Sequence, residues 1–481
     1  MSDLSFNDFE ISDEIINALT KLGYQKPTKI QQEVIQLALG GKDLIGKSQT
    51  GSGKTAAFGI PICEKIEIER TNAQALILTP TRELCVQVKE DISNIGRFKR
   101  IRCAAVFGKQ PVSMQVRELK QRTHIIVGTP GRTLDLIDRD LLDVDDIKYL
   151  VIDEADEMFN MGFIDQVEAV IQALPKNRVT MLFSATMTKE IEGICKKYMK
   201  EPILIDISEK EITTKKIKHS YFEIEENKKL SFLDRIITIE NPDSCIIFCR
   251  TKENVEKVSA YLKSKEYPCS ELHGGMLQND RLEVMKSFKR GEFMFLAATD
   301  LAARGIDIEN ITHIINFDIP LEKESYVHRI GRTGRAGKEG IAITFVSPNE
   351  YKYLREIENF IGFNIPKEEP PSSEVIENAR KIFREKLKEE PKLKDDKDVE
   401  LIKEITKIYI NAGKKKKVRS GDIVGALTSI KGINSDDIGI IDIQENVSYI
   451  DILGGKGKQV LDALQHMTIK NKKVKAEKAI K

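Results

Sequence analysis

The 481-residue sequence predicts an α/β chain: two successive parallel sheets with helices on both faces, then a smaller α+β unit. Three features point there. Short runs rich in Val, Ile and Leu alternate with amphipathic stretches, as doubly buried strands joined by helical crossovers do. The alternation starts afresh after a charged, polar stretch near residues 208–217. Past Ile365 the composition turns to Pro, Glu and Lys, and a different element order begins.

In the first set, strands are expected at 75–78, 125–128, 149–153 and 180–184, with a further apolar segment at 43–46. The second set comprises 244–249, 293–297, 313–317 and 340–346. Beyond it, Val375, Ile376, Ala379, Ile382, Phe383 and Leu387 share one helical face, so this helix should pack on the second unit before a charged linker at 389–400. Strands at 406–411, 438–444, 448–453 and near 473–475, with helices at 420–429 and 458–466, then give a βαββαβ order. That is the ferredoxin-like arrangement of RRM modules. The expected domains are 1–207, a linker at 208–217, 218–365, a helix and linker at 366–402, and 403–481.

Composition narrows the function. Hydrophobic residues make up 41% and charged residues 31%, a soluble globular balance, and no apolar run reaches the ~18 residues of a membrane span. The first ten residues are acidic and lack a signal-type apolar core, so a cytoplasmic location is expected. Seven cysteines stand singly, with no C-x-x-C pair, and six histidines show no ligand spacing, which argues against disulfides and Cys/His metal sites. The net charge of +1 hides an asymmetry. Residues 403–481 hold 16 Lys and Arg against 9 Asp and Glu, a balance of +7, leaving −6 for the rest. Nucleic acid is the partner that suits such a tail.

The chemistry begins at Ser48-Gln49-Thr50-Gly51-Ser52-Gly53-Lys54-Thr55, between an apolar segment and a helical one. Here Gly51 and Gly53 let backbone N–H groups converge on phosphate, Lys54 can neutralise the β- and γ-phosphates, and the Thr55 hydroxyl can ligate Mg²⁺. Ser48 stands where the strict P-loop pattern has glycine, and a plain Gly/Ser turn would also read this way. Asp153 ends the run Tyr149-Leu150-Val151-Ile152, where a carboxylate can hold Mg²⁺ partly through water. Next to it, Glu154 can orient and deprotonate the attacking water.

Together with Asp153-Glu154-Ala155-Asp156, these features resemble the DEAD-box RNA helicases over roughly residues 6–363. The resemblance implies two RecA-like domains, ATP and Mg²⁺ as cofactors, and RNA as partner. It puts adenine against the Q motif, with Phe6, Tyr24, Thr28 and Gln31, and phosphates against Gln49, Thr50 and Ser52 as well as the glycines. Ser184 and Thr186, in Ser184-Ala185-Thr186, and His328 would couple ATP to RNA. Gly305 and Asp307 would meet the nucleotide, Asp307 at the ribose, and Arg332 and Arg335 would act as arginine fingers. RNA contacts are implied for Pro80, Thr81, Arg82, Gly108, Thr129 and Arg132, and for Arg250, Thr251 and Thr299. Phe107-Gly108-Lys109 departs from the paired glycines usual in the family.

The tail is similar to the RNA-binding domain of bacterial DbpA-type DEAD-box proteins, through Tyr409-Ile410-Asn411-Ala412-Gly413-Lys414 and Ile438-Gly439-Ile440-Ile441-Asp442-Ile443. The resemblance implies recognition of 23S ribosomal RNA and a role in large-subunit assembly. Tyr409 is placed to stack on a base, and Lys414, Lys415, Lys416, Lys417 and Arg419 suit phosphate, although a solvated lysine loop has the same composition. An ATP-dependent helicase for short RNA duplexes is the function expected. An ATP-gated RNA clamp without turnover and a DNA translocase are the other readings.

Overall fold

The structure, a computed structural model, describes residues 4–48, 51–207, 217–303, 311–334, 339–391, 393–394, 401, 403–470 and 472–479. The chain divides into two units, residues 1–207 with 396–481, and residues 208–395.

Among the described residues of 1–207, seven parallel strands form one sheet, β1 (Leu44–Lys47), β2 (Ala75–Leu78), β3 (Cys103–Val106), β4 (Ile125–Gly128), β5 (Tyr149–Ile152), β6 (Val179–Ser184) and β7 (Ile203–Asp206). They lie in the order β3-β4-β2-β5-β6-β1-β7. Along β2, Ala75 and Ile77 enter one core while Leu76 and Leu78 enter the other, which is why the strand reads as an unbroken apolar run. Buried Asp43 seals the amino edge, its carboxylate accepting from Thr180 N at 2.8 Å and Lys200 N at 2.7 Å.

The second unit repeats the plan with β8 (Ile217–Glu223), β9 (Cys245–Cys249), β10 (Cys269–Leu272), β11 (Phe295–Thr299), β12 (His313–Asn316) and β13 (Gly340–Val346), ordered β10-β11-β9-β12-β13-β8. Two expectations need correction. The strand expected at 293–297 runs two residues later. The helix Ser373–Lys386 does pack on this unit, with the Phe383 ring 5.1 Å from Tyr267, but Val375 and Ile382 are 50% and 61% exposed. Its buried stripe is the narrower Ile376, Phe383 and Leu387 row, with Val375 and Ile382 one residue ahead of it and turned to solvent.

The tail has its own core and the expected order. β14 (Thr406–Ile410), β15 (Ile438–Ile443) and β16 (Ser448–Ile452) pair antiparallel, and the helices Ser420–Thr428 and Gly457–Leu464 cover one face through Ile423, Leu427, Val460 and Leu464. The last strand is displaced. Lys472–Lys473 (β18) pairs with Thr468–Ile469 (β17) in a small hairpin, and the strand that joins β14 is β19 (Ala476–Lys478). Six cysteines are buried and Cys269 is half-buried. Burial pushes the Cys63 and Cys85 thiols up to about 12, so they pack as small apolar groups. Among the described residues no helix is long and apolar enough to cross a membrane.

Candidate nucleotide and RNA site

The carboxyl edge of the first sheet is where open α/β sheets bind ligands, and its loops fall into two groups. Those after β5, β6 and β1 carry the residues expected at phosphate. Those after β3, β4 and β2 carry the residues expected at RNA.

In the first group the chain turns from β1 into the helix Lys54–Lys65 through Gly51 and Gly53, with φ of +82° and +93°. A Cβ on Gly53 would stand 2.5 Å from Gln31 Nε2 and would have to displace that amide, on a backbone already at a φ that favours glycine. Gln31 donates through that nitrogen to Gly53 O at 3.1 Å and accepts from Thr28 N at 2.9 Å, and Thr28 Oγ1 donates to Ser52 O at 3.0 Å. The Q motif therefore holds the phosphate loop directly. Phe6 is buried edge-on against Tyr24, with ring centroids 6.1 Å apart. Gln49 and Thr50 lie outside the described residues.

Buried Lys54 places Nζ 3.4 Å from Ser48 O and 3.9 Å from Asp153 Oδ1. Burial raises the Asp153 carboxyl above the usual carboxylate range, while Lys54 and the Glu154 N–H, donating at 3.0 Å, pull it down. Glu154 caps the helix Ala155–Asn160 at φ +53°, a left-handed conformation that costs an L residue about 1–2 kcal/mol. Asp156 Oδ2 accepts from Ala185 N at 3.2 Å, Thr186 N at 2.9 Å and Thr186 Oγ1 at 3.0 Å. Ser184 Oγ donates to Thr186 O at 2.6 Å, and its carbonyl accepts from Ser48 N at 3.1 Å. The loops after β5, β6 and β1 are thus tied in series.

In the second group, the Thr81 hydroxyl caps the helix Arg82–Ile95 and Thr129 stands just before the helix Pro130–Asp138 without a side-chain cap, with Pro80 leading into the first. Arg132 Nη1 donates to Gln110 O at 3.2 Å and Gln115 Oε1 at 3.1 Å. Gln115, itself 2% exposed, donates to Phe107 O at 2.8 Å. Gly108 lies against Arg82, whose Nη2 would be 3.3 Å from an added Cβ.

In the second unit, Arg250 and Thr251 follow β9 and Thr299 ends β11. Arg250 Nη2 meets Glu350 Oε1 at 2.6 Å, and Arg250 N donates to Asp318 Oδ2 at 2.8 Å. Thr251 caps the next helix, accepting from Asn254 N at 3.2 Å. Arg332 is 5% exposed and His328 half-buried, and both line a small cavity with Asp300 and Arg329. Gly305, Asp307 and Arg335 lie outside the described residues. In the tail, Tyr409 and Tyr449 face each other across β14 and β16 with centroids 5.8 Å apart, on the sheet face away from the helices. Asp451 on that face pairs with Arg97 at 3.1 Å. Lys414–Lys416 form one helical turn, with Lys417 at φ +58° and Arg419 exposed beyond it.

Residues 28–194 match the family model for DEAD/DEAH box helicases, residues 228–337 that for the helicase conserved C-terminal domain, and residues 407–478 that for the DbpA RNA binding domain. Over 476 residues the chain is 56% identical to the ATP-dependent RNA helicase DbpA of Bacillus subtilis (strain 168), covering 99% of each. The chain belongs to the DEAD-box ATP-dependent RNA helicases. This helicase is also 45% identical over 384 residues to CshA of Geobacillus kaustophilus (strain HTA426), covering 80% of this chain and 82% of that one. Among solved structures it is similar to S. cerevisiae Dbp5 bound to RNA and ADP BeF3, with a TM-score of 0.71 and 32% identity over 80% of this chain and all of the other.

Some residues that support the candidate site were given no role of their own from the sequence. Arg329 is 2% exposed and clamps Asp300 through Nε and Nη2 at 2.5 and 2.6 Å, while Nη1 reaches Asn316 Oδ1 and Asp318 O. It fixes the loop carrying Arg332 to the end of β11. The density of arginines in that loop was the available signal. For Gln115 there was none. The donor set also suits Mg²⁺. Asp153 is a buried carboxylate held above its usual range, Thr55 lies in the first turn of the helix Lys54–Lys65, and there is no ready cage of three or more His, Cys, Asp or Glu among the described residues. A hard cation that keeps water and takes ligands from phosphate fits such a site.

Proposed function

We propose that this helicase is a two-part switch directed to ribosomal RNA. Lys54, Thr55 and Asp153 hold Mg²⁺ and the ATP phosphates, and Glu154 activates the attacking water. Arg332 and Arg335 complete the site from the second unit, so hydrolysis waits on closure of the motor. RNA runs along Pro80, Thr81, Arg82, Gly108, Thr129 and Arg132, and along Arg250, Thr251 and Thr299, through backbone contacts that carry no base readout. The tail engages 23S ribosomal RNA with the Lys414–Lys417 and Arg419 cluster and Tyr409, concentrating the motor on nearby short duplexes during large-subunit assembly in the cytoplasm.

The observation that carries this reading is the tie from Asp156 to Thr186, which joins the phosphate loops through β5, next to the β2 loop expected at RNA. The match to the DbpA RNA binding domain and the +7 tail support the ribosomal target. Phosphate release with Mg²⁺ and single-stranded RNA tests the chemistry. Wild type should turn over repeatedly and faster on RNA than on a matched DNA strand, whereas Glu154→Gln should be slower by about 10²–10⁴. Glu154→Gln at the wild-type rate would remove Glu154 from this role. A single RNA-independent turnover would favour a clamp.

A further inference from the structure

Lys109 holds a backbone conformation that favours glycine. Its φ is +62° in the loop that closes β3, and it is exposed. Such strain persists where neighbours over-determine it, and it gathers at functional sites. Here Gln115 pins both sides of Lys109, donating to Phe107 O at 2.8 Å and Gln110 Oε1 at 3.3 Å. Arg132 Nη1 grips Gln110 O on one flank, and Arg82 lies against Gly108 on the other. The Lys109 backbone is thereby fixed, against its own preference, between two residues that arginines touch. Arg132 has an acid partner, Asp135 at 3.5 Å, but Lys109 makes no hydrogen bond or ion pair among the described residues.

We propose that Lys109 is an additional RNA phosphate contact, releasing one more counterion than a loop of two glycines would. This rests on the assignment of RNA to the loops after β3, β4 and β2.

The test uses the full chain and a single-stranded oligouridine with Mg²⁺ and a non-hydrolysable ATP analogue, with affinity followed by anisotropy across a salt series. Lys109→Ala and Lys109→Gly should each reduce the slope of log affinity against log salt by about 0.7, and Lys109→Arg should keep it. Lys109→Gly should also melt roughly 2–4 °C above Lys109→Ala, because glycine relieves the left-handed strain. Slopes equal to wild type in the Ala and Gly variants would overturn the contact. So would a reduced slope in Lys109→Gly alone, which would assign the effect to the backbone. Wild-type protein that fails to bind the oligonucleotide would instead overturn the RNA assignment beneath it.

Discussion

Thr186 gives Asp156 two of its three loop hydrogen bonds, through N at 2.9 Å and Oγ1 at 3.0 Å to the same Oδ2. The hydroxyl is the part mutation can remove without touching the backbone. A hydrogen bond to a charged acceptor contributes about 1.5–3 kcal/mol. Thr186→Ala should therefore loosen the β5–β6 junction while leaving Lys54 and Asp153 in place. ATP affinity should stay within about threefold of wild type, duplex separation per ATP hydrolysed should fall by about tenfold or more, and Thr186→Ser should restore it. Equal loss of ATP binding and strand separation would show that the bond is merely structural.

Gly53 is constrained twice, by a φ of +93° and by Gln31 Nε2 at 2.5 Å from any Cβ. Gly53→Ala must displace the Gln31 amide, and with it the bond to Gly53 O. Nucleotide affinity, read by a fluorescent ATP analogue, should weaken by about tenfold or more, the worth of roughly one hydrogen bond of this kind. RNA binding without nucleotide should be unaffected. Wild-type ATP affinity in Gly53→Ala would mean that the Q motif does not position the loop.

The four strands that escaped sequence reading, β3, β7, β8 and β10, are the four edges of the two parallel sheets. An edge strand has one neighbour and can carry polar residues, as β8 and β10 do, whereas β3 is a short run of small residues, Cys103-Ala104-Ala105-Val106, that lacks the Val, Ile and Leu signature. Cys269-Ser270-Glu271-Leu272 buries only Leu272, and Ile203-Leu204-Ile205-Asp206 only Ile205. Central strands such as β2 and β4 are apolar throughout and were plain. The site divides in the same way. Lys54, Asp153 and Glu154 could be put forward as candidates from the sequence because phosphate chemistry demands those types at fixed places along the chain. Arg329, Gln115 and Lys229 act across distances of fold that no local spacing encodes. Lys229, fully buried, meets Glu226 at 2.7 Å, Asp318 at 3.4 Å and Glu350 at 3.7 Å, and so neutralises the acids that orient Arg250.

His124 sets a pH limit on the first unit. Its Nδ1 accepts from Arg102 N at 3.0 Å and its Nε2 lies 3.2 Å from Ile68 O, an arrangement of the neutral ring. Burial holds its pKa below the usual histidine value, and Arg102 and Arg122 push it the same way. A depressed histidine contributes stability above the unfolded pKa, near 6.5, and loses it as pH falls through the folded value. Melting should show this acid limb, at most about 1.4 kcal/mol per pH unit. His124→Asn, which keeps an acceptor, should flatten it. An unchanged limb in that variant would locate the titration elsewhere.

The tail is proposed to aim a sequence-tolerant motor at ribosomal RNA. That proposal is tested most directly by ATPase stimulation with a panel of 23S ribosomal RNA fragments and unrelated RNAs of equal length, using the full chain and a chain ending at residue 402. The full chain should respond to one ribosomal region at least about tenfold more strongly than to unrelated RNA, and the shortened chain should respond to all alike at a low level. A preference that survives removal of residues 403–481, or a full chain with no preference, would contradict the account.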